Sequence, residues 1–127
     1  MVRAWVIPDS SGYESLTLEE FEPEDAGPGE IRLRVEVFAC NWGDMDLMRD
    51  NYSFSFPQFP ARIGIEAAGI VDQVGPGVEG IEEGERYCTL PYFYYNRDAS
   101  TESMLIDARY ATKAPDGLSA VESASIW

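Results

Sequence analysis

What most constrains this chain is how often glycine and proline cut its apolar runs short. Arg62 to Gly80 shows the pattern best. Small and β-branched residues (Ile63 to Val71) surround one carboxylate, Glu66, and the Gly75-Pro76-Gly77 cluster then turns the chain. Small residues inside a strand let another backbone or a ligand come close. On these residues alone the segment is a buried strand followed by a turn. Glu66 then needs a partner, for which Arg62, Arg86 and Lys113 are the candidates.

The rest of the chain repeats this pattern. Val2 to Ile7 predicts a strand that Pro8-Asp9 ends, and Tyr13 to Phe21 alternates loosely enough to predict a second. Glu22 to Gly29 is a loop. Ile31 to Val37 gives the cleanest alternation, with Ile31, Leu33, Val35 and Val37 on one face and Arg32, Arg34 and Glu36 on the other. Asn41 to Asp50 predicts a short helix with Asp44 and Asp46 near its positive end. Tyr52 to Pro60 is an aromatic loop over the core or along a cleft. Glu85–Leu90, Thr101–Ile106 and Tyr110–Lys113 predict further strands, and Tyr92 to Tyr95 predicts cleft wall or core. Short strands, Gly/Pro turns and little helix point to a mainly β fold, a closed or nearly closed β-barrel with a few short helices.

Composition removes several function classes. Twenty-three acidic and nine basic residues leave a net charge of −14. That argues against nucleic acid, whose backbone is held by clustered Lys and Arg, and against an anionic membrane surface. No signal-peptide core or membrane-length apolar run is present, and two cysteines are too few for a disulfide framework, so a cytoplasmic setting is expected. Histidine is absent. Imidazole acid–base chemistry is thereby excluded, and Cys40 and Cys88, without Cys-x-x-Cys spacing, cannot make a typical structural zinc site. Gly75 to Gly80 fits the letters of a dinucleotide-binding glycine motif. Its context is strand–turn–strand with no helix behind it, and Pro76 has no amide hydrogen to offer a phosphate.

Four motifs in order carry a family resemblance: Gly64-Ile65-Glu66-Ala67-Ala68-Gly69-Ile70-Val71, then Val74-Gly75-Pro76-Gly77-Val78, then Gly84-Glu85-Arg86, then Lys113-Ala114-Pro115-Asp116-Gly117-Leu118-Ser119. Together they resemble the N-terminal, GroES-like barrel domain of the medium-chain dehydrogenase/reductases, over nearly the whole chain. Asn41-Trp42-Gly43-Asp44 resembles the N-x-x-D of the zinc-free quinone oxidoreductase branch. Zinc relatives place a metal-binding Cys where Asn41 stands and a His where Ile65 stands.

The resemblance implies one domain over residues 1–127, the substrate side of a zinc-independent NAD(P)H-dependent oxidoreductase of quinone or enone reductase type. It uses NADPH or NADH, and no metal. By the same resemblance Asn41 touches the nicotinamide or the substrate oxygen, Asp44 holds the Asn41 loop, and Tyr52 stands in the cleft with a hydroxyl to donate. Glu66 and Gly69 are structural or cleft residues. Arg49-Asp50-Asn51-Tyr52 and Asp46 depart from the branch's usual pattern, which bears on the substrate. From the residues alone Asn41 is equally a helix cap, and a tyrosine such as Tyr52 in an aromatic loop is more often packing than chemistry.

Ser119-Ala120-Val121-Glu122 is a capping box near the end of the chain. The cap suggests a helix cut short, and the resemblance implies that a nucleotide-binding Rossmann domain begins just after residue 127, so the chain alone is expected to be inactive. The full-length protein is expected to be a homodimer acting on a small carbonyl, enone or quinone. The alternatives are a free-standing, non-catalytic interaction or oligomerisation module and a fragment of a zinc alcohol dehydrogenase.

Overall fold

A computed structural model describes residues 1–90 and 98–127. The described elements are, in order, β1 (Val2–Ile7), β2 (Thr17–Phe21), β3 (Glu30–Ala39), α1 (Trp42–Met48), β4 (Ala61–Arg62), β5 (Glu66–Val74), β6 (Arg86–Thr89), β7 (Ser103–Asp107), β8 (Ala111–Lys113) and α2 (Ala120–Ala124). The reading of Tyr92 to Tyr95 lies outside the described residues.

The strands form two antiparallel sheets, β2-β1-β4 and β7-β3-β5-β6-β8. The fold is thus mainly β, as expected. Among the described residues, however, the sheets do not close into one hydrogen-bonded ring. Ser100–Glu102 joins them instead: Trp5 N–H donates to Ser100 O (2.8 Å), Glu102 N–H to Arg3 O (2.9 Å) and Val35 N–H to Glu102 O (3.0 Å).

β3 is the spine of the larger sheet. Its alternation buries Ile31 and Leu33 completely, while on the other face Arg32 pairs with Asp72 and Glu36 with Arg86, each at 2.8 Å. The period then breaks. Register shifts fall at Arg32/Leu33 and Val35/Val37, so Phe38 joins Val35 against the core in the place expected of Val37. An inserted residue in this way re-aims the side chains after it.

Two glycines are required by close backbone packing. A Cβ on Gly69 would lie 2.6 Å from Arg34 O, and one on Gly75 would lie 2.0 Å from Gly27 O. The Gly75-Pro76-Gly77 turn therefore docks on the Gly27–Glu30 loop, with Gly75 N–H donating to Glu30 O (2.8 Å) and Gly29 N–H to Pro76 O (3.0 Å). Strand follows turn here, and no helix stands behind the glycines.

The expected strand from Tyr13 is shortened. Tyr13–Ser15 curls into a 3₁₀ turn because Ser15 bonds back to Gly12 O through both its amide and its hydroxyl. Strand pairing starts only at Thr17. Its Leu16 packs toward a second, smaller core of Ile7, Met48, Ala61 and Ile63. At the other end the Ser119 cap forms as expected: Ser119 Oγ accepts from Glu122 N–H (3.2 Å), and Glu122 Oε2 accepts from Ser119 N–H (2.8 Å). Five residues of helix are marginal alone, and α2 is held by packing on β3, β5 and β6.

Candidate active site

Two motifs distant in sequence meet because β3 and β5 are neighbours. The last rung of their ladder pairs Ala39 with Glu66, and Asn41 follows Ala39 by two residues as the N-cap of α1. Across this junction Asn41 Nδ2 donates to Glu66 Oε2 at 2.7 Å. Glu66 is 9% exposed, and the partner the structure gives it is this amide rather than one of the three expected cations. Arg86 is engaged by Glu36, Lys113 by Glu85 (2.6 Å), and Arg62 lies over the Phe21 ring, 4.6 Å from its centroid.

Asp44 closes the junction from the helix side. Its Oδ2 accepts the Asn41 backbone N–H at 2.8 Å, within a capping box, so this carboxylate does hold the Asn41 loop. Burial pushes the Asp44 carboxyl above its usual range and the nearby Glu66 charge adds to this. The amides of Asn41 and Gly64 and the Asn41 side chain pull the other way. Only Asp44 lies in the first turn of α1; Asp46, expected beside it, falls two residues later, past that turn.

A cleft of about 260 Å³ opens over this junction, lined by Asn41, Gly43, Asp44, Tyr52, Ile65, Glu66 and Trp127. The three expected catalytic residues are thus brought together. Tyr52 stands over Gly43, where an added Cβ would be 3.4 Å from its ring, and packs edge-on against Phe54 with centroids 5.1 Å apart. Gly69 does not line the cleft. It is structural only, lying under the Arg34 backbone. Sequence reasoning missed Gly43, Trp127 and Thr89. Thr89 Oγ1 accepts from Ala67 N–H (2.9 Å) and donates to Ile65 O (3.2 Å), gripping the chain on both sides of Glu66. Nothing around Thr89 in the sequence marks it. Gly43, by contrast, lies inside the Asn41-Trp42-Gly43-Asp44 motif.

Among the described residues no Lys or Arg lines the cleft. The amide, phenol and indole among them suit one neutral ring, and none of the described lining residues suits a diphosphate. No group of three or more His, Cys, Asp or Glu able to hold a metal ion occurs among the described residues. Cys40 is exposed, Cys88 is buried and both are free. No helix among the described residues is long and apolar enough to cross a membrane.

Comparison with known proteins agrees with this geometry. Residues 27–116 match the family described as Alcohol dehydrogenase GroES-like domain. The chain is 36% identical over 120 residues to the 2-haloacrylate reductase of a Burkholderia species, covering 93% of this chain and 35% of that protein. The crystal structure of Escherichia coli quinone oxidoreductase complexed with NADPH superposes with a TM-score of 0.87 at 28% identity, over 100% of this chain and 37% of that one. The human synaptic vesicle membrane protein VAT-1 homolog-like protein superposes at 0.88 and 30% identity, over 98% and 39%. The chain therefore spans little more than a third of each of these relatives. With its motifs, its two-sheet β fold and these matches, the chain belongs to the alcohol dehydrogenase GroES-like domain family, on the quinone oxidoreductase side of the medium-chain dehydrogenase/reductases.

Proposed function

We propose that this chain is the substrate-side domain of a zinc-independent, NAD(P)H-dependent oxidoreductase acting on quinones or enones. The cofactor's phosphates would be held by a nucleotide-binding domain outside residues 1–127. One observation carries the reading: Asn41 and Glu66, from separate motifs, meet in a cleft with Tyr52, where zinc relatives would have Cys and His at the places of Asn41 and Ile65. The lack of a Lys or Arg among the described lining residues fits the same division of labour. The cleft takes a ring and leaves the phosphates to other residues.

When bound, the nicotinamide supplies hydride. As hydride reaches an electron-poor ring or C=C bond, negative charge grows on the substrate oxygen, and preorganised donors lower the barrier there. Asn41 Nδ2 carries a second hydrogen besides the one given to Glu66, and the Tyr52 hydroxyl and the Trp127 indole are further neutral donors among the described residues lining the cleft. Asp44 keeps the Asn41 loop in place, and Ile65 and Trp127 supply apolar wall.

The test uses the longer protein with its nucleotide-binding domain, following NADPH consumption with 1,4-benzoquinone and with 2-cyclohexenone. Asn41→Ala is expected to lower kcat/KM roughly tenfold or more, as when one positioned donor is lost. Unchanged turnover with an intact fold would remove Asn41 from the mechanism. Elemental analysis of the same preparation is expected to find far less than one zinc per chain, and stoichiometric zinc would overturn the metal-free reading. The 127-residue chain alone is expected to bind NADPH very weakly, so a micromolar Kd by titration would contradict the division of labour.

A further inference from the structure

An asparagine side chain has two ends of nearly equal shape and opposite polarity. Rotated by half a turn, it offers a ligand an acceptor in place of a donor. A cleft that uses Asn41 must therefore select one orientation. An ionised carboxylate only accepts hydrogen bonds, so the 2.7 Å contact between Asn41 and Glu66 Oε2 admits only the Nδ2 end. Glu66 can set the amide in this way only if it cannot wander itself.

Thr89 keeps it in place. The β5–β6 ladder ends at the Ala68–Cys88 pair. Beyond that rung the Thr89 hydroxyl continues the pairing, accepting from Ala67 N–H and donating to Ile65 O, the residues on either side of Glu66. Thr89 is 1% exposed, so water does not compete for either bond. From the opposite flank, β3 pairs Phe38 with Ala67 and Ala39 with Glu66. Glu66 is thus fixed from β3 by backbone and from β6 by one hydroxyl.

We propose that Glu66, clamped through Thr89, is a positioning residue that locks the Asn41 amide with its nitrogen end toward Glu66, so that the cleft meets one face of that amide instead of two. The inference rests on the proposed function only for its catalytic meaning, since the locking is a property of this chain. Carboxylate and hydroxyl both have conservative replacements that keep the needed polarity. Gln at 66 still offers an oxygen to Nδ2, and Ser at 89 still accepts and donates.

The experiment is nitrogen-15 NMR of the Asn41 side-chain amide in the 127-residue chain, assigned by its disappearance in Asn41→Ser. In the unmodified chain and in E66Q and T89S, the two amide protons are expected to be well separated in shift and protected from exchange. In E66A and T89V they are expected to move toward the positions of solvent-exposed asparagine and to exchange at least tenfold faster. Should T89V not fold, T89A is read in the same way. Resonances that stay put in folded E66A or in the folded Thr89 variant would overturn the proposal, even with a lowered Tm, because a purely structural threonine would change stability without moving Asn41. Failure of the Asn41→Ala turnover test would sink the functional reading while leaving these resonances as expected.

Discussion

The Asn41–Glu66 contact is one hydrogen bond between a neutral donor and a nearly buried carboxylate. The choice of amide over acid at position 41 is therefore decisive. Asn41→Asp sets two carboxylates against each other across 2.7 Å, and like charges at that distance oppose joint ionisation. The expected cost is roughly 1–3 kcal/mol of stability at neutral pH, the range for a buried group stripped of its partner. Urea unfolding of Asn41→Asp beside the unmodified chain measures this, and an unchanged midpoint would show that the two groups do not couple. The sequence marked Asn41 and Glu66 individually, through motifs that surround each. It gave no sign that they bond to one another, because that depends on the register of β3 against β5. Neither could it mark Thr89, whose role exists only where a ladder runs out of backbone rungs.

Among elements, β3 and β5 show where pattern reading works and where it stops. Alternation identified β3 and its buried face correctly as far as Val35. Beyond that the bulge shifted the faces, and no period in the sequence announces an inserted residue. The small residues of β5 did signal a close approach, and Gly69 is where it occurs. Gly69→Ala is expected to cost about 1–3 kcal/mol, since the new methyl meets Arg34 O at 2.6 Å and Val35 Cα at 3.0 Å, both backbone atoms of a central strand. Gly77→Ala is the comparison. Its φ of +81° strains a side chain, but nothing lies within 4 Å of the added methyl, so the cost should be nearer 1–2 kcal/mol. Chemical unfolding of both variants checks the order, and a milder Gly69→Ala would mean that β3 and β5 separate easily. β2 was overread because a serine bonding back to Gly12 outweighed a loose alternation.

At the scale of the molecule, charge is the dominant quantity, and one buried acid is held out of it by a retained proton. Asp98 is 7% exposed. Its carboxyl is pushed up from 3.8 to about 8, mainly by burial, with Arg62 opposing and Asp44 reinforcing the shift. The folded chain therefore keeps a proton that the unfolded chain releases near the ordinary value. Stability from this group is full below about pH 4 and falls as pH rises toward 8, because the folded state binds more protons throughout that window. Asp98→Asn removes the titration, so its urea midpoint should decline less between pH 5 and pH 8 than that of the unmodified chain. Parallel declines would assign the pH dependence to other acids. The overall mainly β architecture was readable from turns and short apolar runs. How the sheets are joined was not, since it rests on three residues with no pattern of their own.

Those three residues, Ser100 to Glu102, hold the two layers as a rivet holds two plates. Arg3 and Trp5 bond to them from one sheet and Val35 from the other, while the Ser100 hydroxyl ties Ile63 N–H to Trp5 O. Because the same short segment serves both layers, loosening it frees neither sheet alone. A change in that segment is therefore expected to weaken both layers together.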